Sequence, residues 1–195
     1  MTITSPPVRQ VPLKTRQSDE QLAASAAKGS MAAVEELFYR YEGPVTRYLA
    51  RMVGDREEAA DLFQEAFLRA HTNLSRYDPR RPYRAWFYRI ATNLAYDHLR
   101  KVCRAPMPGD PEPRAGAVST AASDDLLTEE VHRIVAALPE EQSTVFLLRH
   151  YQGLSYAEIS QVCGALEATV RSRMHYAVLA LREKLRYLVE EDDAK

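Results

Sequence analysis

Residues 57–71, EEAADLFQEAFLRAH, constrain the fold most, because they repeat apolar side chains at helical spacing and still carry an unusual outer face. Ala59, Leu62, Phe63, Ala66, Phe67 and Ala70 fall on one side of such a helix at about 100° per residue, the side a core must cover. Asp61, Gln64, Glu65 and Leu68 stack on the opposite stripe, three or four residues apart. A merely solvated face would mix Lys, Glu and Arg. Here a large aliphatic residue sits among two carboxylates and an amide. Two readings stand: a single surface leucine on a solvated helix, which is common, or a docking stripe with one apolar anchor and an acidic surround.

The rest of the chain reads as helices too. Residues 1–17 hold Pro6, Pro7 and Pro12 without periodicity and read as a flexible tail. Ser18 or Asp19 caps a short helix ending near Gly29. From Ser30, Val34, Leu37, Phe38, Tyr41, Val45, Tyr48, Leu49 and Met52 mark a longer helix, with Gly43-Pro44 as a place for a kink and Gly54-Asp55 as its end. After His71, TNLSRYDPRRP is a loop.

Residues 83–101, YRAWFYRIATNLAYDHLRK, put Phe87, Ile90 and Leu94 on a core face. Tyr83, Trp86, Tyr88 and Tyr96 spread well beyond that face, interleaved with Arg84, Arg89, Asn93, Arg100 and Lys101. Rings that stack on bases, guanidinium groups that take phosphates and an amide that reads a base edge are what locally opened nucleic acid requires. An ordinary core helix with a basic outer face accounts for the same composition, and from this helix alone both readings stay open.

Residues 104–123, RAPMPGDPEPRAGAVSTAAS, hold four prolines and no periodicity, so they form a linker between domains at 18–103 and 124–188. Beyond it come a helix around residues 124–137, then Pro139-Glu140-Glu141 opening a helix through Val145, Phe146, Leu148 and Tyr151 to Gly153. Ser155 and Glu158 make a capping box for a helix to about Val162, Cys163-Gly164-Ala165 is a tight turn, and a last helix runs from Glu167 to about Leu188. Val170, Met174, Ala177, Leu181 and Leu185 are its buried face. Short helix, Gly turn and longer helix make a helix-turn-helix, whose Arg171, Ser172, His175 and Tyr176 point outward with Arg173 beside them. An arginine there reaches guanine in a major groove. A plain bundle with a basic surface helix is the weaker reading, since cap, turn and outward face agree. Residues 189–195 are an acidic, frayed tail.

The net charge of −1 gives no global case for a nucleic-acid partner. Locally, Asp55, Glu57, Glu58, Asp61 and Glu65 oppose Arg56 alone, whereas residues 76–104 are rich in arginine. An acidic surface beside a basic aromatic one suits two different partners. Cys103 and Cys163 have no zinc-type spacing and read as plain thiols of a cytoplasmic protein; with no membrane-length apolar run, no membrane insertion is expected.

Taken in order, the segments Gly54-Asp55-Arg56-Glu57 with Asp61 to Ala70, Arg84 to Lys101, Leu138-Pro139, Gly153 to Ile159 and Thr169 to Arg173 resemble one family. The chain is similar to bacterial RNA polymerase sigma factors of the extracytoplasmic-function (ECF) group in the sigma-70 family, the small type with regions 2 and 4 only. The resemblance spans about residues 30–104 and 124–188 and implies an all-α fold of two small helical domains, the region 2 bundle and the region 4 helix-turn-helix, joined by a flexible linker. It implies that Asp61, Gln64, Glu65 and Leu68 meet the clamp helices of the polymerase largest subunit, with the flap region as a second contact on core RNA polymerase. Asn73, Arg80, Arg84, Trp86, Tyr88, Arg89, Asn93, Arg100 and Lys101 match the part that melts and holds the −10 element. Thr169, Arg171, Ser172, Arg173, His175 and Tyr176 match the −35 reader of promoter DNA. The linker would thread the polymerase cleft, an anti-sigma factor is an expected partner, and neither catalytic residue, cofactor nor metal is implied.

Three departures bear on the −35 preference: Gly164-Ala165-Leu166 before the last helix, Ser143-Thr144 after Leu138-Pro139, and His175-Tyr176. The rivals are narrower. An operator-binding helix-turn-helix regulator explains residues 138–188 alone; a decoy would bind polymerase without opening DNA; and for an enzyme the sequence offers no HExxH, phosphate-cradling glycine loop or nucleophile motif.

Overall fold

Short polar residues placed ahead of apolar-periodic runs decide where the helices begin. A computed structural model describes residues 17–104 and 126–192, and the expectations of a tail and a linker fall almost wholly outside them. The described elements are α1 (Asp19–Ala27), α2 (Met31–Val53), α3 (Arg56–Thr72), a 3₁₀ turn (Leu74–Arg76), α4 (Tyr83–Arg104), α5 (Leu126–Ala136), α6 (Glu140–His150), α7 (Tyr156–Cys163) and α8 (Glu167–Asp192). Among the described residues the fold is all-α, and no helix is long and apolar enough to cross a membrane.

Ser18 caps α1 in a reciprocal box with Gln21, and Ser30 caps α2 by accepting from the Ala33 amide. α2 continues through Pro44 without a second element being needed, and stops at Gly54, whose φ of 81° is open to glycine at little cost. Asp55 then caps α3, accepting from the Glu57 and Glu58 amides at 2.8 and 3.0 Å. α8 runs past the stop expected near Leu188 to Asp192, because no glycine or proline intervenes.

In the first lobe α1, α3 and α4 pack around α2. Leu37, Tyr41, Val45, Tyr48 and Leu49 of α2 and Ala59, Phe63 and Ala66 of α3 are all buried, with Tyr41 against Phe87 and Tyr48 against Tyr88 of α4. Phe38, Phe63, Phe67 and Phe87 form an edge-on ring cluster with centroids 5.1–6.3 Å apart. Asp19 ties α1 to α2, accepting from Arg40 and from the Tyr41 hydroxyl, and Glu20 accepts from the first amide of α4 at 3.1 Å.

The second lobe is α5 to α8. α6 is buried at five successive positions, Thr144 to Leu148, as a helix enclosed on all sides must be. One side meets α7 and α8, and the other meets the first lobe. The lobes therefore pack on each other, chiefly α4 on α7 and α2 on α5 and α6.

Candidate functional site

The stripe on α3 is exposed. Leu68 is 64% exposed whereas Phe63, on the inner face, is 2% exposed. Asp61, Gln64 and Glu65 are exposed around it. Glu65 is bridged by Arg69 one turn on, while Asp61 and Gln64 have no side-chain partner among the described residues. The cap at Asp55 and the acids Glu57 and Glu58 extend the negative surface to the helix start, where the dipole favours them.

The α4 residues divide in two. Arg89, Asn93, Arg100 and Lys101 are exposed, and the first three lie four and seven residues apart on one outward row. Arg80 is exposed in the loop, and Arg84 and Trp86 are half-buried. Trp86 leans one face on Tyr77 and Tyr83, with centroids 5.1 and 5.6 Å away. The Asn73 side-chain amide donates to the Arg69 carbonyl at 2.8 Å and so helps to end α3. Tyr88 departs from the open stacking platform that its outward position suggested. It is 2% exposed, and its hydroxyl donates to Gln152 of the second lobe at 2.6 Å. Tyr96 likewise donates to Thr144 at 2.9 Å, and burial pushes its phenol up to about 12. These rings spread beyond one face because α4 has two buried faces, one on its own lobe and one on the other.

The helix-turn-helix has the expected parts. Ser155 and Glu158 make the reciprocal cap of α7, and Gly164 ends it at a φ of 64°, where a side chain would be strained. On α8, Thr169, Arg171, Ser172, His175 and Tyr176 are exposed, and Val170 and Ala177 are buried. The arginines are already positioned. Arg171 is bridged by Glu167 and lies 4.5 Å over the Tyr156 ring, whose neighbourhood Arg149 shares at 5.0 Å. Arg173, 22% exposed at the side chain, is held by Glu141 of α6, so it is less available than Arg171.

Comparison with known proteins matches residues 37–104 to Sigma-70 region 2 and residues 128–181 to Sigma-70, region 4. RNA polymerase sigma-H factor of Pseudomonas aeruginosa is 31% identical over 91% of this chain and 98% of its own length. The chain belongs to the sigma-70 family. Within it the resemblance is to the ECF group: ECF RNA polymerase sigma factor SigL of Mycobacterium tuberculosis is 35% identical over 85% of this sigma factor and 96% of itself. The fold matches CnrH in complex with the cytosolic domain of CnrY, with a TM-score of 0.69 at 24% identity, covering 88% of this chain and 99% of that one. It also matches RpoE of Bartonella quintana in complex with the anti-sigma factor NepR, with a TM-score of 0.64 at 20% identity over 78% and 96%.

In this sigma factor the seam between regions 2 and 4 is the part that sequence reading missed. Arg51 of α2 donates to His132 of α5 at 3.2 Å and lies 4.3 Å over the Tyr151 ring. Cys163 of α7 lies near Tyr48 and Tyr96 of region 2, and burial raises its thiol to about 11, which suits an inert thiol. Arg149 and Tyr156 were also missed. Their signal was the pair's position either side of the Gly153 turn, where Arg149 donates to the Leu154 carbonyl at 2.9 Å.

Proposed function

We propose that this sigma factor docks on core RNA polymerase through Asp61, Gln64, Glu65 and Leu68 and directs promoter recognition, DNA melting and initiation. The observation that carries the reading is the bare leucine in an acidic stripe on the same chain as a capped helix-turn-helix; an operator-binding regulator needs no such stripe. Docking would bury the Leu68 side chain against the clamp helices while the carboxylates meet cations at the rim.

Arg171, Ser172, His175, Tyr176 and Thr169 would read the −35 element in the major groove, with Arg173 released from Glu141 as DNA arrives. Arg80, Arg84, Arg89, Arg100 and Lys101 would take phosphates of the −10 strand, while Trp86, Asn73 and Asn93 receive an extruded base. Extrusion costs a few kcal/mol, which stacking and phosphate contacts must offset. Tyr88 joins that surface once the lobes part and Gln152 releases its hydroxyl. Residues 18–103 and 124–188 act as the two DNA- and polymerase-binding domains, with residues 104–123 spanning between them. The protein acts in the cytoplasm as a non-enzymatic subunit. A partner like the CnrY domain or NepR, covering the stripe or the helix-turn-helix, would hold it inactive.

Trp86→Ala with Asn93→Ala tests the division of labour. Asn93 is exposed, but Trp86 is half-buried against Tyr77 and Tyr83, so thermal melting is measured alongside; in a chain that still folds, core binding is retained while opening of a −10 duplex is lost. Loss of core binding together with opening would overturn the assignment.

A further inference from the structure

A cavity of about 480 Å³ lies in the seam, lined by four arginines, Arg40, Arg47, Arg51 and Arg84, and bounded from region 4 by Tyr151 and Gln152. The volume is that of a small-ligand site, which runs from about 300 to 1,000 Å³. Charge in it is unbalanced. Among the described residues Asp19 is the one carboxylate on the lining, and it is bound to Arg40, which Glu36 also holds. Arg47 and Arg84 have no ion-pair partner among the described residues, yet both lie near enough to the Tyr88 phenol to oppose the effect of its burial. Arg51 gives its Nε to His132 and an Nη to the Arg47 carbonyl, and meets no carboxylate there. Burial and the Arg47 charge both pull its pKa down. Arg47 and Arg51 are also like charges one helical turn apart, a destabilising spacing.

We propose that this cavity binds a small oligophosphate, either inorganic pyrophosphate or the phosphate tail of a nucleotide, between regions 2 and 4. Guanidinium forks match phosphate oxygens two bonds at a time. Arg47 and Arg84 line this space with no hydrogen-bond partner for their guanidinium groups among the described residues, while Arg51, stacked on Tyr151, keeps one Nη for a ligand. Gln152 accepts from Tyr88 through its oxygen, which leaves its NH₂ as a donor from the other lobe. An anion in this place touches both lobes, so it stabilises the closed arrangement by mass action and opposes the parting that frees α4. The inference rests on the seam and is independent of how the stripe meets polymerase.

The test is calorimetric titration of the full-length chain with inorganic pyrophosphate at constant ionic strength, paired with thermal melting. One-to-one binding and a raised melting temperature are expected. Arg47→Glu, Arg47→Gln and Arg84→Glu should each weaken binding roughly tenfold or more, as loss of a charge-assisted pair does. The exposed Arg182→Glu on α8 should leave it unchanged. A nucleoside diphosphate is titrated alongside: tighter binding than pyrophosphate points to a nucleotide, equal binding to a free oligophosphate, and both support the site. No saturable binding of either, equal affinity in a folded Arg47→Gln chain, or the same melting shift from sodium chloride at matched ionic strength would overturn it.

Discussion

Replacing Leu68 by Ala separates docking from folding, because the side chain is bare in the free protein. The change removes three carbons, worth about 0.8 kcal/mol for each methylene withdrawn from water, or about 2.4 kcal/mol if docking buried them completely. Since Leu68 is 64% exposed, roughly two thirds of that surface is still available to be covered by a partner. The expected loss of docking energy is therefore about 1.5 kcal/mol, close to tenfold in Kd. The third of the side chain already covered in the free chain is worth about 0.9 kcal/mol on the same scale, so stability should fall by no more than about 1 kcal/mol. The contrast is Phe63→Ala: at 2% exposure it should cost about 3–5 kcal/mol of folding free energy. The assay is fluorescence anisotropy of the labelled chain titrated with purified core polymerase, alongside thermal melting of each variant. A Leu68→Ala chain that melts like the parent and binds core within twofold of it would refute the docking stripe.

Three further outcomes follow from the seam and the caps. Tyr88→Phe removes the donor of the 2.6 Å bond to Gln152 and should cost about 1 kcal/mol of inter-lobe packing, read by small-angle scattering as a roughly fivefold larger open fraction. Ser155→Ala removes the reciprocal cap of α7, which should cost about 1 kcal/mol and lower the melting temperature by about 2–4 °C, with weaker −35 binding. Cys163 has its folded pKa raised by burial from 9.0 to about 11, so over that interval the unfolded chain has lost a proton that the folded chain keeps. Unfolding free energy should fall as pH rises from 9.0 toward 11, and denaturant melts of Cys163→Ala should show a shallower decline.

What could be read before the structure was what lies within one or two helical turns. Ser155 with Glu158, Ser18, Gly54 and the α3 stripe are set by neighbours three or four residues away, so spacing alone reveals them. The aromatic helix was harder. Tyr88 meets Gln152 across 64 residues, and Arg51 meets His132 across 81, so no local pattern says which ring is spent on the other lobe. The same holds for Arg173, whose partner Glu141 lies on α6 and makes it a held arginine beside the freer Arg171. The arginines of the seam cavity escaped notice because Arg40, Arg47 and Arg51 read only as the polar face of α2, and Arg84 reaches them from another helix.

The measurement that bears most directly on the sigma assignment is run-off transcription with purified bacterial core polymerase on a library of promoter-like templates. The account predicts initiation that depends on this protein, from templates sharing a −35 and a −10 element, and lost on Leu68→Glu. Failure to bind core or to initiate, with tight binding of the free chain to duplex operator-like DNA, would contradict it.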